Sequence, residues 1–340
     1  MPPNTAAYLP SAKARLTLLP TERRYPDETE IVVRTSAVAI NQIDWKIQFA
    51  PWTEFPYPLV LGEDVAGTVV ETGSCVTRFK RGDRVIGHAV GIFSGDERHG
   101  AFQEFVVLEE NMACVFPASI GFEKGVVLPL GVSTASAALF AKKGEQGLGL
   151  PRPELEPVKN GGTVLVWGGT TSVGSNAIQL AVASGCEVVA TAGAKNFEYA
   201  RRLGAATVVD YKSKTVVQDV VAAFQGRRLV GAFDTVGSED SKKATVAVVE
   251  QVEGEKIAAT VDEFEDLPEG IMGVGVMAVS IRENEVSEMV YGDYLPKALA
   301  AGKYQTAPDP YIAGIGLGAI QGAFEAQKKA SARKVVVTIF

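Results

Sequence analysis

Val164-Leu165-Val166-Trp167-Gly168-Gly169-Thr170-Thr171-Ser172-Val173-Gly174 is the stretch on which the fold turns. An apolar run passes into a glycine-rich turn, after which Ala177, Ile178 and Ala181 recur at helical spacing. This order predicts a strand over 163–167 and a helix over 175–183, with Gly185 placed to end it. Backbone N–H groups at such a helix start point outward, and the helix dipole favours an anion there, here a pyrophosphate. The usual spacing is G-x-G-x-x-G. Gly169 and Gly174 fill its outer positions, and Thr171 stands at the middle one. A side chain there pushes the pyrophosphate outward, and the hydroxyls of Thr170, Thr171 and Ser172 are expected to compensate. The plain alternative is a tight turn between packed elements.

Downstream the same alternation continues. Strands are predicted over 187–191, 207–209 and 230–233. Helices are predicted from near Asn196 to 203–204 and around Val217, Val221 and Phe224. Strands alternating with helices of this length argue for βαβ units and a parallel sheet. Upstream the chain reads differently, as short strands over 30–37, 65–72, 84–86 and 102–107 broken by Gly and Pro. That spacing predicts an antiparallel, barrel-like unit. Residues 144–160 read as an inserted loop. The tail beyond Ala301 reads as loop, one helix over 319–329 and a last strand over 334–339 that crosses back to the first unit. The expected division is 1–127, 128–295 and 296–340. The apolar run 274–281 reads as an edge strand, paired across a homodimer or covered within a monomer.

Composition narrows the function class. The net charge of −7, with Arg81, Arg84, Lys328 and Lys329 scattered as pairs, argues against nucleic acid as a partner. No window is apolar enough for a membrane span, and the first twenty residues lack a signal-peptide core. Cys75, Cys114 and Cys186 lie too far apart in sequence for a disulfide framework, so a cytoplasmic protein is expected. With two histidines, His88 and His99, and no C-x-x-C, no zinc constellation assembles. Nor is there material for a Ser-His-Asp or Cys-His nucleophile set.

The end of the second strand speaks to cofactor choice. NAD-binding folds place an Asp or Glu there, about 20 residues on, for the ribose 2′-OH. Here the stretch is Val189-Ala190-Thr191-Ala192-Gly193-Ala194-Lys195-Asn196, with no carboxylate and one lysine. A 2′-phosphate would meet charge rather than repulsion, which favours NADPH. The alternative for Lys195 is an ordinary solvated lysine. Tyr211, after the third strand, is placed to lie against an adenine or to be a plain half-buried tyrosine.

Asn41-Gln42-Ile43-Asp44-Trp45-Lys46, Leu61-Gly62-Glu63-Asp64-Val65-Ala66-Gly67-Thr68-Val69, Phe79-Lys80-Arg81-Gly82-Asp83-Arg84-Val85 and Gly100-Ala101-Phe102-Gln103-Glu104-Phe105 occur in that order. They are similar to the N-P-x-D-x-K, G-x-D-x-A-G-x-V, V-G-D-R-V and G-A-F-x-E-Y segments of the medium-chain dehydrogenase/reductase superfamily. The likeness covers almost the whole chain. In zinc alcohol dehydrogenases a ligand Cys stands where Asn41 is and a ligand His where Glu63 is, so the chain resembles the zinc-free branch. Leu128-Pro129-Leu130-Gly131-Val132-Ser133-Thr134-Ala135, Ala194-Lys195-Asn196-Phe197-Glu198 and Ser331-Ala332-Arg333-Lys334-Val335-Val336-Val337 bring it nearest to fungal trans-acting enoyl reductases and quinone-oxidoreductase-like relatives. Three positions depart from the pattern. Gln42 replaces a Pro, Gly193 replaces a Ser on the 2′-phosphate, and Ala332 replaces a Gly, the last expected to be harmless.

The resemblance implies an α/β protein with a Rossmann parallel-sheet domain and a GroES-like β-rich catalytic domain, its cleft at their junction. It implies cofactor contacts at Ile43, Asp44, Trp45, Lys46, at Gly169 to Gly174 including Val173, and at Gly193, Ala194, Lys195, Asn196 and Tyr211. Further contacts are implied at Ala259, Thr260, Ala330 and Ser331. Lys46 and Thr134 are placed beside nicotinamide and substrate. Lys46 would donate to a developing enolate or hold cofactor, or be a surface lysine. Thr134 would bond the carbonyl or the ribose, or cap a helix over 135–140. Without a metal a plain carbonyl is hard to activate, whereas an enolate needs hydrogen-bond donors and a proton. The expected activity is therefore NADPH-dependent reduction of an enoyl, enone or quinone small molecule, free or as a carrier-bound acyl chain. An aldehyde or ketone reductase, with Lys46 or Tyr57 as the acid, and a non-catalytic NADPH-binding sensor are the competing readings. Substrate loops are expected at 91–99 and 267–281.

Overall fold

The computed structural model describes residues 4–23, 25–51 and 54–340. They divide into two compact units, Met1–Leu130 with Leu299–Gly302 and Thr306–Phe340, and Gly131–Ala298 with Lys303–Gln305.

The first unit is built from β1 (Asn4–Leu9), β2 (Thr17–Thr21), β3 (Glu30–Ile40), β4 (Leu59–Val60), β5 (Asp64–Thr72), β6 (Arg84–His88), β7 (Phe105–Glu109) and β8 (Ala113–Val115). β3 is the spine. Its apolar residues Ile31, Val33, Val38 and Ile40 are buried, and it pairs antiparallel with both β5 and β7. The fourth predicted strand begins at Phe105 rather than 102, because Phe102 turns inward, fully buried and 6.2 Å from the Phe324 ring.

The second unit carries β9 (Gly162–Trp167), β10 (Glu187–Ala192), β11 (Thr207–Asp210), β12 (Arg228–Asp234), β13 (Ile257–Thr260) and β14 (Met272–Gly275). They form one parallel sheet in the order β11-β10-β9-β12-β13-β14. The chain begins at the centre, builds outward one way, then returns and builds the other way. Ligands in such sheets bind outside the strand C-termini where the order reverses, here between β9 and β12. β9 is buried along its whole length, as a strand flanked on both sides and covered on both faces must be. The edge strand stops at Gly275, and 278–283 is a 3-10 helix, so the run 274–281 is not one strand.

The chain then returns to the first unit as β15 (Pro310–Ile315), the helix Ile320–Lys328 and β16 (Lys334–Thr338). β16 pairs antiparallel with β3, Val336 opposite Ala39. The architecture thus comprises an α/β Rossmann-type domain and a GroES-like β-rich one. No described helix is long and apolar enough to cross a membrane.

Candidate functional site

The Ser172–Ala183 helix starts three residues earlier than its apolar spacing predicts, and Thr171 is its N-cap. Thr171 Oγ1 accepts from Gly174 N at 2.9 Å. Its own proton goes elsewhere. Thr235 Oγ1 donates to the carbonyls of Trp167 and Gly168, at 2.9 and 3.0 Å, so at the 2.9 Å contact between the two hydroxyls Thr171 is the donor. The hydroxyl expected to meet a pyrophosphate is therefore committed within the turn. What remains for an anion is the backbone N–H of Val173 in the first turn of the helix and the half-buried Thr170.

The two fingerprint glycines are required sterically. A Cβ on Gly174 would lie 2.2 Å from Gly168 O, and one on Gly169 would lie 2.9 Å from Ala190 Cβ and 3.0 Å from Ile178 Cδ1. Gly168 has φ +82, and its N–H donates to Thr191 Oγ1 at 2.9 Å, while Gly169 N donates to Thr191 O at 2.8 Å. The turn is pinned to β10 as well as to β12. Side chains are excluded at Gly169 and Gly174 by contacts behind the backbone.

At the end of β10, Gly193 leads into a 3-10 turn over Ala194–Asn196, in which Ala194 and Lys195 are exposed. A Cβ on Gly193 would find Tyr211 Cε1 at 3.6 Å, an ordinary contact. Tyr211 follows β11 and is 48% exposed, with Lys212 Nζ 5.8 Å from its ring centroid. The structure brings Gly193, Lys195 and Tyr211 to one edge, beside the glycine turn. Ala259 and Thr260 end β13 and are fully buried, and the Thr260 hydroxyl has no hydrogen-bond partner. Asp234, at the end of β12, accepts from Val236 N, Gly237 N and Ser241 Oγ, at 2.9, 3.2 and 2.7 Å. Burial holds its carboxyl above the usual range despite these donors.

Thr134 is not a helix N-cap. The helix runs Pro129–Phe140 and places Thr134 in its interior, 7% exposed. Pro129 at the first helical position was the available signal. Periodicity gave none, because almost every face of this helix is buried. A Cβ on Gly131 would meet Asn176 Nδ2 at 2.6 Å and Ser172 Oγ at 2.9 Å, so the helix lies against the start of the dinucleotide-turn helix.

In the first unit Lys46 is exposed on the Gln42–Phe49 helix, with Ile43 and Trp45 half-buried. Gln42 occupies the first helical position, where Pro is favoured but not required, and the helix forms without it. Asp44 is fully buried. Its carboxylate accepts from Asn41 N at 2.7 Å and Gly62 N at 3.2 Å, so it shapes the loops rather than facing solvent. Burial raises its pKa to about 7. Beneath the helix Lys334 Nζ lies 2.8 Å from Asp64 Oδ2 and donates to Asn41 Oδ1 at 2.5 Å. The ammonium thus engages Asn41 and Asp64 together. Among the described residues no group of three or more His, Cys, Asp or Glu could hold one. Glu63 is buried with neither oxygen bonded, and burial drives its pKa well up. Ala330 and Ser331 are exposed after the last helix.

Thr191, Thr235 and the Lys334 network were not foreseen. A D-T-V-G run ending β12 marked the second of these, but the third joins residues nearly 300 positions apart.

Residues 27–118 match the alcohol dehydrogenase GroES-like domain family, and residues 172–252 match the zinc-binding dehydrogenase family. The chain is 44% identical to dehydrogenase azaJ of Aspergillus niger, over 100% of both chains. It is 38% identical to trans-enoyl reductase himH of Aspergillus japonicus, over 99% of this chain and 97% of that one. Among solved structures it superposes on an alcohol dehydrogenase superfamily protein from Novosphingobium aromaticivorans with TM-score 0.80 and 25% identity, over 99% and 100%. The chain belongs to the medium-chain dehydrogenase/reductase superfamily. It is an oxidoreductase of that superfamily's reductase type.

Proposed function

We propose that the chain is an NADPH-dependent, zinc-independent reductase that saturates a C=C conjugated to a carbonyl, in an enone, enoyl or quinone substrate. The observation that carries this reading is a glycine turn whose neighbouring strand ends at Ala192 and runs into Gly193–Asn196 without a carboxylate, with Lys195 exposed there. A 2′-phosphate there gains a charge-assisted partner and meets no carboxylate on the 193–196 turn. Bound nicotinamide supplies hydride, and the protein has to manage the charge that develops on the substrate oxygen. Lys46 is the donor we assign to that oxygen, and its ammonium also provides a proton. Thr134 we assign to orienting the carbonyl or the ribose. No electrophilic metal is required for an enolate stabilised by hydrogen bonds. In this chain a lysine ammonium stands between Asn41 and Asp64 instead. The name of the Aspergillus japonicus relative supports an enoyl substrate, free or carried as an acyl thioester. We place the activity in the cytoplasm, as a monomer or homodimer.

The test is to follow oxidation of NADPH and NADH with an α,β-unsaturated aldehyde, its saturated analogue, an enoyl thioester and a quinone, before and after dialysis against a chelator. Turnover with the unsaturated compounds, preference for NADPH and indifference to the chelator are expected. Equal rates on the saturated aldehyde would establish carbonyl reduction instead, and tight binding without turnover would establish a sensor.

A further inference from the structure

We infer that Lys334 and Asp64 are a positioning pair for Lys46. The inference rests on the assignment of Lys46 as donor to the substrate. Both side chains are buried, at 5% and 0% exposure, and they meet at 2.8 Å. Asp64 Oδ2 also accepts from Asn41 Nδ2 at 2.8 Å, and Asp64 Oδ1 accepts from Leu130 N at 2.6 Å. Lys334 reaches the other end of the same amide, Asn41 Oδ1, at 2.5 Å. The Asn41 side chain is thus held at both its oxygen and its nitrogen, and Asn41 is the N-cap of the helix that carries Lys46.

A buried pair of this kind is a poor stability device. Desolvating two ions costs about what their attraction returns, and an apolar pair of equal volume commonly serves as well. What the pair supplies is direction, since a carboxylate and an ammonium fix an amide's orientation where methyl groups would not. The far end of the helix is tied separately. Trp45 Nε1 donates to Gln327 Oε1 at 2.6 Å, and Lys328 Nζ stands 4.4 Å from the Phe49 ring centroid and 5.4 Å from that of Trp45. The last helix and last strand therefore hold the Lys46 helix at both ends.

Lys334→Met alone would leave Asp64 an unpaired buried charge and could prevent folding. The informative variant is Lys334→Met with Asp64→Asn, which removes both charges and keeps both volumes. It is expected to melt cooperatively. Its NADPH dissociation constant, measured alongside, separates a change in cofactor binding from a change in the chemical step. Its kcat on an enone should fall about 10- to 100-fold, the usual consequence of a displaced catalytic group. Amide exchange at 45–50 should quicken by about tenfold relative to the other helices. Wild-type kcat in the folded double variant would overturn the inference. Were wild type itself to reduce no enone, the exchange measurement would still decide whether the pair orders the helix, and unchanged exchange would overturn it.

Discussion

Thr171 and Thr235 are joined hydroxyl to hydroxyl at 2.9 Å, across the gap between β9 and β12 where the strand order of the parallel sheet reverses. The bond ties the glycine turn to the loop after β12, and Thr235 in turn closes on the carbonyls of Trp167 and Gly168. A threonine at the middle of the fingerprint is therefore a part of the turn. It takes a role in which glycine would contribute nothing, capping the helix and spanning the crevice floor.

Thr171→Ala should cost about 1 kcal/mol through the lost cap, with a further contribution from the unpaired Thr235 hydroxyl. Thr171→Gly restores the fingerprint spacing and loses only a few tenths from the cap. Because the native side chain is turned inward, Thr171→Gly should tighten NADPH by no more than about threefold, within ~0.7 kcal/mol. Thermal melts and fluorescence titration of the two variants check both statements.

Gly174→Ala is the severe change in the same loop. Its Cβ would stand 2.2 Å from Gly168 O and 2.9 Å from Gly169 Cα, both backbone atoms of the turn. The turn must open, and the N–H groups we propose for the diphosphate go with it. NADPH affinity should fall by at least about tenfold, near 1.4 kcal/mol. The circular dichroism spectrum should be unchanged, since the strain is local. An unchanged dissociation constant would remove the turn from the cofactor site.

How much of this was legible beforehand varied with how local the cause was. The run from Val164 to Gly174 announced itself because strand, turn and helix each leave their own residue pattern within a dozen positions. The Glu239–Gln251 helix went unread, although Ser238 caps it and Glu239 and Asp240 open its first turn, because its polar residues blur the periodicity. The β1–β2 hairpin was missed too, for β2 reads TLLPT and is mostly exposed. Lys46 and Lys195 could be named as candidates from residue type, yet nothing local indicated that Lys334 reaches Asn41. Side chains joined only by the fold leave no spacing to find.

Gly193→Asp should reverse the cofactor preference. The added Cβ is tolerated, its nearest neighbour being Tyr211 Cε1 at 3.6 Å. The carboxylate would stand where NAD-binding sheets place the one that holds the 2′-OH, and would repel a 2′-phosphate. Two unit charges at about 4 Å interact by ~4 kcal/mol near a protein surface before screening reduces it. A fall of about 10- to 100-fold in the ratio of NADPH to NADH affinity is the expected outcome. Titration with both nucleotides measures it, and an unchanged ratio would place the 2′-phosphate elsewhere.

Ala332 turns out to be costly rather than harmless. Its φ is +51, in the left-handed region, where a β-carbon costs about 1–2 kcal/mol. Ala332→Gly relieves that strain but adds roughly 0.5–1 kcal/mol of unfolded-chain entropy. The strain term is the larger, so the variant should be about 0.5–1 kcal/mol more stable. A thermal melt at or below the wild-type midpoint would contradict this.

Glu63 sets a pH dependence whose sign is opposite to that of carboxylates held low by an ion pair. Neither of its oxygens finds a hydrogen bond, and burial, followed by the neighbouring Asp44 and Asp64, holds its pKa well above 4.5 in the folded state. In the unfolded chain it ionises normally. As pH rises above 4.5 the unfolded state releases a proton that the folded state keeps, so stability drains away until the folded value is passed. The limiting slope is about 1.4 kcal/mol per pH unit. His88, pushed down to about 4 by its burial, acts in the other direction, its loss of stability coming as pH falls below 6.5. Asp44, raised to about 7, works with Glu63 up to that pH. Above pH 7 the histidine no longer contributes, and the dependence that remains is that of the buried carboxylates until their folded-state values are passed. Glu63→Gln keeps the shape and removes the proton, so across pH 5 to 8 its advantage over wild type should be smallest at pH 5 and grow until the folded-state pKa of Glu63 is passed. Parallel denaturant titrations across that range measure the difference, and a gap that stays constant with pH would mean that Glu63 is ionised in the folded protein.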